Sequence, residues 1–200
     1  MEDMSNQIET QIDVTLTERN RVTALFRLIL VVPMAIFVAS YAPSWGNNTE
    51  TLTVGFLILP VALALVFRQV YPSYLLAFNE AFLSLQTRLN AYVFLLTDEY
   101  PSIERNKNIE VEFPEIKGGK SLNRWLPLVK WFLSIPLILV GLVYSVIALG
   151  MTFIAWIMTS ATGNYPKWAG KFVLKTIRFW NRVNGYAFIL VSDKYPSFGL

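Results

Sequence analysis

The stretch NAYVFLLTDEYPS at 90–102 returns as NGYAFILVSDKYPS at 184–197. Each is an apolar run closed by Asp-x-Tyr-Pro-Ser. Working outward, a shift of 94 lays Tyr71-Pro72 on Tyr165-Pro166, Phe78 on Phe172, Arg88 on Arg182 and Tyr92 on Tyr186. One added residue in the second copy then aligns Asp98, Tyr100, Pro101 and Ser102 with Asp193, Tyr195, Pro196 and Ser197. Upstream, Arg27 and Pro33 fall on Lys130 and Pro136 at a shift of 103; the difference of 9 (103 − 94) is extra loop around YAPSWGNNT in the first copy. The chain reads as a tail over 1–10, a unit over 11–103, a linker over 104–108 and a second unit over 109–200.

Composition favours a membrane. Apolar residues make up 54% of the 200 residues and charged residues only 16%, against roughly 25% charged in soluble domains; mean hydropathy is +0.44. There is no Cys and no His. That removes thiol chemistry, disulfides, the usual zinc and haem ligands, and the commonest general base near neutral pH. The polar, acidic start MEDMSNQIETQIDVTLTE has neither a basic n-region nor an apolar h-region, so no cleaved secretion signal is expected.

Four apolar stretches are candidate membrane spans. Two cover 24–40 and 52–67. A third run, from Leu126 to about Ser160, would be roughly 50 Å long as one helix, against a ~30 Å hydrocarbon core. It is therefore expected to fold back near Tyr144–Ile147, giving spans of about 127–143 and 148–161. All 17 Lys and Arg residues then fall on one side, and the positive-inside rule puts that side and both termini in the cytoplasm. Positive charge bordering spans favours anionic lipid over nucleic acid as partner. The alternative is a very apolar soluble helical bundle.

Each unit opens with period-two alternation, QIDVTLT and NIEVEFP, and closes with strand formers, YVFLLTD and YAFILVSD. The expected fold is mainly α and integral to the membrane. It has four transmembrane helices as two tandem hairpins, each followed by an amphipathic interfacial helix, with short cytoplasmic β-strands. The closing segments can also be read as helix ends. The repeated Tyr-Pro, amphipathic helix, Arg-x-Asn-x-Tyr, apolar run and Asp-x-Tyr-Pro-Ser resembles the bacterial membrane proteins grouped as domain of unknown function 4389. The likeness covers most of the chain, with DKYPSFGL its most specific piece. The first unit departs by its longer loop and lacks the final Phe-Gly-Leu. The resemblance implies a bacterial inner-membrane, multi-pass protein and brings no activity or catalytic residue.

In the second unit, Lys167, Lys171, Lys175, Arg178 and Arg182 recur at steps of four, four, three and four, one face of a helix. With Trp168, Phe172, Ile177 and Trp180 they suit an interfacial helix touching anionic headgroups; a merely solvated face is the plainer reading. The matching positions in the first unit are Ser73, Ala77, Ala81, Ser84 and Arg88. The small residues predict a face for close packing against a helix or a partner. Glu80 lies in an otherwise apolar stretch, to pair with Arg88 or Arg68, face water, or serve an ion path. Arg88 and Arg182, present in both copies, are expected to pair with Asp98 and Asp193 as structural ion pairs.

No nucleophile–base pair, metal-ligand cluster or phosphate loop is present in the sequence, so no catalytic residue, cofactor or metal is expected. The foremost functional reading is a non-catalytic accessory or scaffold subunit of a larger inner-membrane complex, anchored by anionic lipid, with other membrane subunits as partners. The alternatives are a small transporter and a lipid-handling or membrane-shaping protein.

Overall fold

The computed structural model describes residues 6–14, 16–17, 19–40, 58–104 and 108–200. Strand β1 (Glu9–Ile12) is followed by three short consecutive helices, α1 (Arg21–Leu25), α2 (Arg27–Leu30) and α3 (Val32–Ala39). Then come α4 (Ile58–Arg68), α5 (Ser73–Val93), β2 (Ile109–Glu112), α6 (Leu126–Thr162) and α7 (Lys167–Ala187). The loop at 41–51 and the first part of the expected second span lie outside the described residues.

Local chemistry sets the helix starts. The Asn20 side chain accepts from the Val22 and Thr23 N–H groups and caps α1. α5 and α7 are each 21 residues long and each follows an extended proline, Pro72 or Pro166. Proline disfavours helix at the residue before it, which makes it a natural start signal.

The turn expected near Tyr144–Ile147 is not there. α6 is one helix of 37 residues, about 55 Å at the usual rise. Its buried seam explains why. Ser134, Gly141, Ala148 and Ala155 lie at successive sevens, with Leu137 and Thr159 on the same face. The seam holds one phase through 144–147, so both halves pack on α7. Phe179 and Val183 lie against Leu137, Val173 and Ile177 against Ala148, and Ala169 against Ala155. Small residues let the helices approach closely: a Cβ on Gly141 would stand 2.8 Å from the Trp180 ring. Gly163, at φ 78°, ends α6 in the left-handed conformation. Among the described residues, α6 is the one helix long and apolar enough to cross a membrane; the four spans expected are not seen.

Among the described residues the sheet has two strands rather than four. β1 and β2 pair antiparallel, Glu9 opposite Glu112 and Ile12 opposite Ile109. The segments expected to close each unit as strands begin as the last turns of α5 and α7 and then unwind. Leu95 (φ 59°) and Leu190 (φ 64°) take the left-handed conformation there, which breaks strand geometry. Helices α1–α4 and α6 form one layer. α5 and α7 form a second, with β2 against α5 and β1 against α7.

Several bonds recur in both units, and some of them are exchanged between units. Tyr71 Oη donates to the Ile189 carbonyl at 2.9 Å, and Tyr165 Oη to the Phe94 carbonyl at 3.1 Å. Arg21 donates to the Thr162 carbonyl at the end of α6, while Arg124 donates to the Val66 and Phe67 carbonyls at the end of α4. Such reciprocity is what a two-fold relation produces.

Candidate functional site

Two buried cations sit at matched places in the repeat. Arg27 Nη2 meets Asp98 Oδ1 at 2.5 Å, and Lys130 Nζ meets Asp193 Oδ1 at 2.7 Å. Each lies over its own unit's tyrosine ring, Arg27 over Tyr92 at 4.3 Å and Lys130 over Tyr186 at 5.2 Å. Each also donates to the carbonyl preceding the aspartate, Thr97 or Ser192. The first unit adds Arg19, 3.1 Å from the same Asp98 oxygen. A buried charge needs a partner, and these clusters supply one, while Arg27 Nε is buried with no hydrogen-bond partner among the described residues.

The ion pairs expected of Arg88 and Arg182 are therefore not the ones formed. Asp98 and Asp193 are taken by the cations above. Arg88 donates instead to the Ser102 and Glu104 carbonyls and to Ser84 Oγ, and Arg182 donates to the Gly199 carbonyl. Glu104 and Gly199 match in the repeat (199 − 95 = 104), so each arginine ties its helix to the backbone that follows Tyr-Pro-Ser. Burial pulls both guanidinium groups below the ordinary arginine value.

Burial pushes the Tyr71 and Tyr165 phenols up to about 12. Asn79 Nδ2 also donates to Tyr71 Oη at 3.1 Å, which pulls partly the other way.

Two surfaces remain for function. The first is apolar. Leu28, Ile29 and Ile36 on α2 and α3, Leu59 and Phe67 on α4, and a row on α6 from Leu128 to Met158 are exposed, Phe132 at 73%. Exposed apolar area on this scale marks an interaction surface. On α7, Lys167, Trp168, Lys171, Lys175 and Arg178 are exposed and Arg182 is half-buried, while the opposite face packs on α6 and β1. The cationic stripe thus borders the apolar layer along its flank.

The second is a cavity of about 290 Å³ between α5 and β2, lined by Ala77, Glu80, Ala81, Ser84, Arg88, Ile103 and Ile109–Glu112. The small-residue face was expected to pack closely against a helix of its own bundle or against a partner, and the packing within the bundle is not what forms. Ala77, Ala81 and Ser84 instead line this cavity, and Ser73 lies exposed at the first turn of α5. The matched positions on α7 carry Lys171, Lys175 and Arg178, whose Nε donates to the Thr10 carbonyl of β1. Where the second unit places long cations beside a strand, the first leaves space walled by carboxylates. Among the described residues Glu80 has no ion-pair partner, and it sits half-buried in that wall.

Sequence reasoning missed the pairing of Arg27 and Lys130. Their signal was a cation kept in both copies inside an apolar stretch. No protein-family model, curated protein or solved structure matches the chain, so the family likeness rests on the residues quoted for it. Among the described residues, no group of His, Cys, Asp or Glu could hold a metal ion.

Proposed function

We propose that the chain is a non-catalytic scaffold of the bacterial cytoplasmic membrane, seated with α6 lying in the membrane plane. The observation that carries this reading is the packing of a cation-striped α7 along an α6 whose other face is apolar and exposed. The exposed row from Leu128 to Met158 covers 30 steps, about 45 Å, against a hydrocarbon core of about 30 Å. Set along the membrane normal, α6 would also carry Lys171, Lys175 and Arg178 to bilayer depth, at about 2.5–3.5 kcal/mol each by the gentler insertion scales. Lying in the plane removes both conflicts. The apolar layer enters the acyl region, α5 and α7 stand above it, and Lys167, Lys171, Lys175 and Arg178 meet anionic headgroups beside Trp168. The two-fold relation between units then runs along the membrane normal. The absence of a nucleophile–base pair favours a scaffold or accessory subunit over an enzyme, with other membrane proteins as partners.

The lack of native cysteine makes the test direct. Single cysteines placed at Leu128, Leu142 and Ile157, on one face of α6, are nitroxide-labelled and their depth measured in anionic bilayers. Equal depths are expected. A deep Leu142 flanked by shallow Leu128 and Ile157 would mean a crossing helix and sink the in-plane seat.

A further inference from the structure

We propose that the cavity between α5 and β2 receives the α7 cations of a second copy, so that copies join side by side in open rows. Three observations converge. Among the described residues, the cavity wall carries Glu80, Glu110 and Glu112 against one cation, Arg88, whose terminal nitrogens are already committed to Ser102, Glu104 and Ser84. Its charge therefore calls for a basic occupant. The chain itself offers a matching surface in exposed Lys171, Lys175 and Arg178. The spacing agrees: Lys171 and Lys175 are one helical turn apart, about 6 Å, and Glu110 and Glu112 are two strand residues apart, about 6.7 Å.

The two-fold relation supplies the geometry. Ala77, Ala81 and Ser84 hold the places on α5 that Lys171, Lys175 and Arg178 hold on α7, so acceptor and donor face opposite flanks of the α5–α7 layer. One copy cannot satisfy itself, and two copies leave one flank of each kind open. Such a heterologous contact extends instead of closing. Neighbours related by translation keep their apolar layers on the same side, and only that coplanarity rests on the membrane reading. Within a row Lys171, Lys175 and Arg178 leave the headgroups for the neighbour's cavity while exposed Lys167 and Trp168 keep the headgroup contact, and at the end of a row the whole stripe is available to headgroups.

The test uses the full chain in uncharged detergent, followed by sedimentation. The wild type is expected to grow in mass with concentration and to dissociate as salt rises, since charge complementarity holds the contact. Glu110→Gln with Glu112→Gln, and separately Lys171→Gln with Lys175→Gln, should each raise the concentration for half-association about ten-fold or more. All four positions are exposed, and circular dichroism checks the fold of each variant. Mixing the two variants pairs an intact cavity with an intact stripe, so 1:1 heterodimers and nothing larger are expected. Monomeric wild type at every concentration, unaltered association in either variant, or a mixture that stays monomeric would each overturn the proposal. None of these outcomes bears on the depth of α6 in a bilayer.

Discussion

Thr87 and Asn181 hold the same place in their two units and are hydrogen-bonded to each other, Asn181 Nδ2 donating to Thr87 Oγ1 at 3.0 Å. Two equivalent residues touch only where the relation between the units passes, so the contact marks the axis. Asn181 also donates to Thr10 Oγ1 at 2.9 Å, which carries the axis to the sheet. Around it, the exchanged tyrosines and arginines make the two units one folding entity.

The exchanged tyrosines predict an alkaline transition. Their folded-state values, about 12, lie above the ordinary value of about 10. A phenol raised on folding contributes stability that is complete below pH 10 and is lost as pH climbs toward 12. Each can account for up to roughly 3 kcal/mol of that loss. Thermal unfolding in detergent across pH 8–12 should show it. Tyr71→Phe and Tyr165→Phe should each start about 1–2 kcal/mol less stable, through the lost carbonyl contact, and then fall less steeply with pH.

Helix endings give an opposed pair of substitutions. Gln69 (φ 51°) and Gly163 (φ 78°) close α4 and α6 in the same left-handed conformation. Glycine adopts it freely and glutamine does not. Gln69→Gly should stabilise by about 0.5–1 kcal/mol, and Gly163→Ala should destabilise by about 1 kcal/mol, read as opposite shifts of the unfolding midpoint. Equal signs would contradict the match between the two endings.

Asp98 and Asp193 should differ in cost. Asp98 faces both Arg19 and Arg27, while Asp193 faces Lys130. Removing one partner of a buried pair costs about 3–5 kcal/mol. Asp98→Asn, which leaves two guanidinium groups facing a neutral amide, should be the more damaging change. Yield of folded protein and thermal midpoint measure this ranking; a milder effect at Asp98 would refute it.

Continuity of α6 is tested by Val146→Pro. Val146 is 70% exposed and lies mid-helix. Proline there removes a backbone hydrogen bond and clashes with the preceding turn, at about 3 kcal/mol or more. If the chain turned at 144–147, the same change would be nearly silent in thermal unfolding.

How much of this was legible follows physical lines. The repeat was readable because its punctuation, Tyr-Pro and Asp-x-Tyr-Pro-Ser, sits where backbone geometry changes and only certain residues serve. The stripe on α7 was readable because helical spacing is local. The opening strands were found to within a few residues, although β1 begins at Glu9, inside the expected tail. The rest depends on distance in the fold. Apolar closing runs look like strands whether they pair or simply lie buried, and only left-handed Leu95 and Leu190 decide. Asp98 lies nearer in sequence to Arg88 than to Arg27, but Arg27, buried in an apolar stretch, had the greater need of a carboxylate. The run from Leu126 was broken on length alone, while its seven-residue rhythm of small side chains argued for a single rod.

The exchanged tyrosines and arginines have a consequence for how such a chain can change over time. Neither half holds the carbonyl partners of its own Tyr71 and Arg21, or Tyr165 and Arg124, so a lone half would have to borrow them from a twin. With both halves on one chain, each is free to differ from the other on the outside, as Ala81 does from Lys175, while the residues at their shared seam have to be kept as a set.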